Sequence, residues 1–198
     1  EFISYDGANV FFPTLSNNGD LLAYVYSEPV MAINGNIPED NGSTSLWIKK
    51  IDDLTTLKLS DDFPNYDYQW AQNCSFGAQI NHPPVWSPDD KFLSINYLEK
   101  TNYLYLIEVA SGILIEIPVS TFNVPVWLNN SQFFVQSGNV VHLITLNKNE
   151  GEWQVSVESI PFTPEDFNDH IEYAFSVGSN QFIFRVWHMD KPLDITWK

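Results

Sequence analysis

His82-Pro83-Pro84-Val85-Trp86-Ser87-Pro88-Asp89-Asp90-Lys91-Phe92-Leu93-Ser94-Ile95-Asn96-Tyr97 opens the stretch that decides the fold. It continues through Asn102-Tyr103-Leu104-Tyr105-Leu106-Ile107-Glu108-Val109-Ala110-Ser111-Gly112 to Ile113-Leu114-Ile115-Glu116-Ile117-Pro118. Turn signals separate four short runs rich in aromatic and β-branched residues, the pattern of an antiparallel meander. Pro83-Pro84 cannot donate to a central ladder, so the first strand starts near Val85. Ser87-Pro88-Asp89-Asp90 is a tight turn, with Asp in the left-handed position where Gly is usual. Tyr103, Tyr105 and Ile107 share one face of a strand, and Leu104, Leu106 and Glu108 the other. Both faces are mostly apolar, which predicts cover on both sides.

Pro84-Val85-Trp86-Ser87-Pro88-Asp89-Asp90-Lys91-Phe92-Leu93, followed by Leu104 to Gly112, resembles the repeat of TolB-like β-propellers. Similar blades occur in the propeller of the prolyl oligopeptidase and dipeptidyl peptidase family. The family pattern is roughly Pro-x-Trp-Ser-Pro-Asp-Gly-Lys-x-Leu-Ala, and Asp90 stands where it prefers Gly. The resemblance implies four-stranded blades stacked around an axis. It implies no chemistry, because those peptidases keep their catalytic residues in a separate hydrolase domain.

The pattern returns along the chain. Blade openings fall at Pro13–Ala23, Pro84–Ser94 and Pro125–Val135, with a weaker one at Tyr173–Phe184. The expected fold is all-β, a single domain over 1–198 with about four blades at 8–60, 82–119, 123–161 and 171–198. Leu15, Trp86, Trp127 and Phe175 take equivalent positions and are expected in the blade core. Strand four of the first blade is read as Thr55–Leu59, and Asn147–Gly151 as the last turn of the third. The final blade has candidate strands Tyr173–Ser176, Gln181–Trp187 and Leu193–Trp197. Thr163-Pro164-Glu165-Asp166 suits one helical turn. Phe2–Tyr5, within 1–7, is an orphan strand with three open roles. It closes a four-bladed ring, or the chain is part of a larger propeller, or the strand pairs with a neighbouring subunit.

Two long connections, Glu28–Thr44 and Asp61–Asn81, exceed what a hairpin needs. The second holds Tyr66, Tyr68 and Trp70, the side chains best able to stack on a ligand. The bland alternative is that they plug the hub or an inter-blade gap.

The net charge is −16, from 25 acidic and 9 basic residues, and Arg185 is the only arginine. That field repels phosphate backbones and anionic lipid, so neither nucleic acid nor membrane insertion is expected. Cys74 is the only cysteine, so no intrachain disulfide forms. His82, His142, His170 and His188 show no metal-ligand spacing, and no Gly-x-Ser-x-Gly elbow is present. No catalytic residue, metal or cofactor is therefore expected. The pairs Asp52-Asp53, Asp61-Asp62 and Asp89-Asp90 read as solvated turn residues. Asn41-Gly-Ser, Asn73-Cys-Ser and Asn129-Asn-Ser match the glycosylation sequon, in a chain rich enough in Asn for chance matches. Scarce Lys and Arg lean toward a secreted, periplasmic or cell-surface protein.

The sequence thus predicts a non-enzymatic module binding protein, peptide or glycan through its loops. The alternative is the gating propeller of a prolyl-oligopeptidase-like hydrolase, separated from its catalytic domain.

Overall fold

A computed structural model describes residues 9–27, 44–63, 84–97, 103–120, 125–137, 140–161, 170–178, 181–188 and 191–197. Among them every regular element is a strand. The first sheet is β1 (Asn9–Leu15), β2 (Leu21–Ser27), β3 (Thr44–Lys50) and β4 (Thr56–Phe63), in that order and antiparallel. The second is β5 (Val85–Trp86), β6 (Phe92–Tyr97), β7 (Tyr103–Glu108) and β8 (Leu114–Ser120). The third is β9 (Val126–Trp127), β10 (Gln132–Ser137), β11 (Val140–Asn149) and β12 (Glu152–Pro161). A three-stranded sheet follows, β13 (His170–Gly178), β14 (Gln181–His188) and β15 (Lys191–Trp197). The meander read from the sequence is present in all four.

Blade 2 shows why both faces of its strands are apolar. Leu93, Ile95 and Ile107 join Trp86 against Ala23, Val25, Leu46 and Ile48 of blade 1. The alternate residues Phe92, Leu104 and Leu106, with Ile115, Ile117 and Val119, pack against Phe133, Val135, Ile144 and Leu146 of blade 3. Period-two alternation therefore feeds two separate inter-blade cores from one sheet. Each fully buried aliphatic or Phe side chain contributes about 1.5–3 kcal/mol. Phe92 also meets Trp153 edge-on at 5.0 Å and lies parallel to Trp127 at 6.4 Å. The fourth sheet continues the stack, with β13 against β9 and β10.

The backbone gives the turns their register. Asp90 takes φ 59° and Gly19 φ 81° at matching points, Asp being one of the few non-Gly residues that tolerate the left-handed region. The third blade's outer hairpin differs from the sequence expectation. Its ladder runs on to Asn149 opposite Glu152, so the turn is the two residues Glu150-Gly151 rather than Asn147–Gly151. Both have positive φ (49° and 92°), which permits a two-residue turn whose twist matches the strands. Strand β4 runs to Phe63, past the expected Leu59, because its ladder with β3 absorbs register shifts and ends at Thr44 opposite Phe63. Strand β13 spans His170–Gly178, beyond the expected Tyr173–Ser176, held along its length by β14.

One core expectation is overturned. Leu15 pairs with Leu22 as Trp86 pairs with Leu93, so the repeat alignment places it correctly. Yet Leu15 is 55% exposed and Trp86 only 6%. The reason is direction. A residue at this position packs on the sheet before its own: Trp86 enters the core shared with blade 1, and Trp127 borders the core shared with blade 2. Among the described residues no sheet precedes blade 1, and Leu15 meets solvent. Phe175 lies in β13 opposite Ile183, but its side chain is outside the described residues, as are Phe2–Tyr5 and the Thr163–Asp166 segment.

The two indole N–H groups differ. Trp86 Nε1 donates to the Thr14 carbonyl at 3.3 Å. The corresponding carbonyl in blade 2, that of Val85, accepts from Ser94 Oγ at 3.2 Å, and Trp127 Nε1 is buried without a partner among the described residues. Blade 1 has Ala23 where blade 2 has Ser94, so no hydroxyl at that position competes with the indole for the Thr14 carbonyl.

Trp86→Ala is expected to cost about 3–5 kcal/mol of stability, through lost transfer energy and the cavity left behind. Leu15→Ala should cost less than about 1 kcal/mol, being a surface change. Urea unfolding of the two variants checks the asymmetry.

Candidate functional site

The blades have two unlike ends. At one, which we call the turn end, short hairpins close. Ser16 Oγ donates to Asn18 Oδ1 at 2.8 Å and accepts from Leu21 N at 2.9 Å. Ser87 repeats this, donating to Asp89 Oδ1 at 2.8 Å and accepting from Phe92 N at 2.9 Å. A Ser with Asx two residues on thus supplies acceptors that the turn backbone would otherwise lack.

The two hairpins are also fastened to each other. Asn17 donates from its backbone N and from Nδ2 to Asp90 Oδ1, both at 2.7 Å. Asn17 Nδ2 also donates to the Ser87 carbonyl at 2.8 Å, and Asn18 N donates to Asp90 Oδ2 at 3.1 Å. The carboxylate of blade 2 therefore caps the turn of blade 1, and bonds of this kind to a charged acceptor are the stronger ones. Asp90 is therefore not the solvated turn residue that the Asp89-Asp90 pair suggests in the sequence. The available signal was Asp at a position where Gly is sterically preferred, with Asn17-Asn18 in the matching turn of the previous repeat.

Blades 2 and 3 are joined differently. Glu108, at the end of β7, accepts from Ser111 Oγ at 2.5 Å and from Lys148 Nζ at 3.0 Å, and Lys148 also sits 4.9 Å from the Trp153 ring centre. The Ser111 hydroxyl, followed by the Lys148 ammonium, holds the Glu108 carboxyl below its ordinary range. Blade 2 also leans on blade 1 at its outer turn. A Cβ on Gly112, where φ is +71°, would stand 3.5 Å from the Leu59 carbonyl.

These contacts orient all three blades alike, which fixes the other end. Ser27 pairs with both Asn9 and Thr44, and Thr44 with Phe63. In blade 2 Tyr97 pairs with Tyr103, and Tyr103 with Ser120. In blade 3 the corresponding row is Ser137, Val140 and Pro161. Every connection leaving these rows departs from the same end, the loop end. Both long connections of the sequence, 28–43 and 64–83, are among them. Tyr66, Tyr68 and Trp70 belong to the second and lie outside the described residues, so what the strands establish is the end from which their segment leaves.

Near the loop end of blade 3, His142 Nδ1 is 2.9 Å from Ser159 Oγ. The two are directly opposed in the ladder, so the contact follows from strand register. Burial lowers the His142 pKa. Among the described residues no group of three His, Cys, Asp or Glu is placed to hold a metal ion, and no helix is long and apolar enough to cross a membrane.

Stacked four-stranded antiparallel sheets with shared inter-blade cores define a β-propeller fold. Comparison with solved structures agrees. A putative dipeptidyl aminopeptidase IV from Bacteroides ovatus matches 98% of this chain and 34% of its own, at 14% identity and TM-score 0.53. TolB from Acinetobacter baumannii covers 96% of this chain and 55% of its own at 11% identity and TM-score 0.43. The Swd1 β-propeller domain of Myceliophteria thermophila covers 90% of this chain and 51% of its own at 13% identity and TM-score 0.45. The chain thus spans about a third to a half of these structures' length. No family model matches the sequence, and no curated protein does.

Asp90→Gly tests the inter-blade fastening against local strain. Glycine relieves the left-handed backbone, yet the variant is expected to lose a net 1–2 kcal/mol or about that, because three N–H donors of blade 1 lose a charged acceptor. Asp90→Asn should fall between the two in urea unfolding. A stabilised Asp90→Gly protein would mean that the carboxylate contributes nothing.

Proposed function

We propose that this chain is a binding module that takes a peptide or protein segment at its loop end, with Tyr66, Tyr68 and Trp70 as the contact residues. The observation that supports this is strand direction: both long connections leave from one end, while the turn end is occupied with fastening blade to blade. Segments 28–43 and 64–83 carry Glu28, Glu39, Asp40 and Asp67 and neither lysine nor arginine. Asp67 stands between Tyr66 and Tyr68 on one connection, and the other adds Glu28, Glu39 and Asp40. Carboxylates leaving from the same end as Tyr and Trp suit a partner that presents Arg or Lys beside an apolar side chain, through cation–π and charge complementarity. The net charge of −16 steers such a partner inward and disfavours acidic ones.

A second reading comes from the Bacteroides ovatus structure, whose name is that of a peptidase and of which this chain matches 34%. In it the chain is the non-catalytic propeller of a hydrolase. A Gly-x-Ser-x-Gly segment in the same reading frame downstream of Lys198 would decide for it.

Selection of a displayed random-peptide library on the folded chain tests the binding proposal. Enriched peptides should be rich in Arg or Lys, should weaken as salt rises, and should lose at least about tenfold in affinity, some 1.4 kcal/mol, on the triple Tyr66→Ala, Tyr68→Ala, Trp70→Ala variant. The variant should keep a strand-type circular dichroism spectrum. Peptides that bind the triple variant equally well would move the site elsewhere.

A further inference from the structure

Of the three sequons in the chain, Asn129-Asn130-Ser131 falls within the described residues, on the hairpin between β9 and β10. All three residues are exposed, and position two is not proline. From the turn geometry we propose that Asn129 is a site of N-linked glycosylation.

The modification needs an asparagine amide nitrogen free to leave its local contacts, a hydroxyl two residues on, and room for a large polar group. Asn129 meets these needs within its own turn. Its Oδ1 accepts from Ser131 N at 2.9 Å and from Ser131 Oγ at 3.2 Å, so the sequon hydroxyl already lies on the reacting amide. Its Nδ2 donates to the side chain of Gln132 at 2.9 Å, a surface contact that can be given up. The equivalent turn of blade 1 is tied through Asn17 and Asn18 to Asp90 of blade 2. The blade 3 turn is one residue shorter, its Leu128 N reaching Gln132 O where Ser87 N reaches Phe92 O. Asn129 bonds within that turn, and the tie between blades 2 and 3 is made by Glu108 and Lys148 instead. A glycan on Asn129 therefore breaks no inter-blade bond among the described residues.

In the transfer, Asn129 Nδ2 forms a C–N bond to the anomeric carbon of an oligosaccharide carried on a lipid pyrophosphate. The bond from that carbon to the pyrophosphate oxygen breaks, the lipid pyrophosphate leaves, and one amide proton is released. The site lies at the turn end, so the glycan points away from the loop end and leaves it open to a partner.

Translation of the full chain behind a secretory leader, in a lysate supplemented with eukaryotic microsomes, reads the site without requiring the product to be secreted. In an Asn41→Gln, Asn73→Gln background the chain should gain one glycan, seen as a single mobility step reversed by peptide N-glycosidase. Adding Asn129→Gln or Ser131→Ala should abolish it, and Ser131→Thr should keep it. An unmodified chain in that background, beside a control protein glycosylated in the same microsomes, overturns the proposal. So does a glycan that survives Asn129→Gln.

Discussion

The assembly depends on one contact, the Trp86 indole seated against the sheet that precedes its own. Strand β5 is only two residues long, and its ladder alone would hold it weakly. What secures it is the indole, 6% exposed, packed with Leu93 and Ile95 against Ala23, Val25, Leu46 and Ile48 and donating to the Thr14 carbonyl. A single antiparallel meander has two faces to cover and cannot cover both alone. In blades 2 and 3 the Trp side of the sheet is complementary to the opposite side of the one before. The same constraint explains Leu15, which has the right register and no preceding sheet among the described residues.

Polar contacts refine this packing. Apolar burial is nondirectional and tolerates sliding. Asp90 on Asn17 and Asn18, and Glu108 on Lys148, fix how the sheets sit at the turn end. They use unlike chemistry at neighbouring interfaces, which distinguishes one junction from the next where the repeats are otherwise alike. Fastening one end in this way leaves the opposite end for the longer connections 28–43 and 64–83, the second of which carries Tyr66, Tyr68 and Trp70.

How much of this was legible beforehand depends on the range of the physics involved. Strands β6 and β7 were legible because alternation and turn chemistry are local: Ser87-Pro88-Asp89-Asp90 and Ser111-Gly112 mark their ends in the chain itself. The exposure of Leu15 was not, since it depends on a neighbouring sheet rather than on its own repeat. Asp90 was visible only as a departure from the Gly of the family pattern, and its role needed Asn17, distant in sequence, to be placed beside it. The Glu108–Lys148 pair is equally nonlocal. The proposed contact residues Tyr66, Tyr68 and Trp70 stand out in the sequence by composition alone. The strands add the end from which their connection leaves, and their side-chain placement lies outside the described residues.

The central claim is that blades 1 to 3 form one cooperative unit joined through inter-blade cores. Native-state hydrogen exchange tests it most directly, because it reads the opening free energy of each sheet separately. Amides at Ala23–Val25, Leu93–Ile95 and Phe133–Val135 should share one opening free energy, and in the Trp86→Ala variant all three groups should lose protection by the same amount. Loss of protection confined to blades 1 and 2, with Phe133–Val135 unchanged, would show that the sheets open independently and would contradict the account.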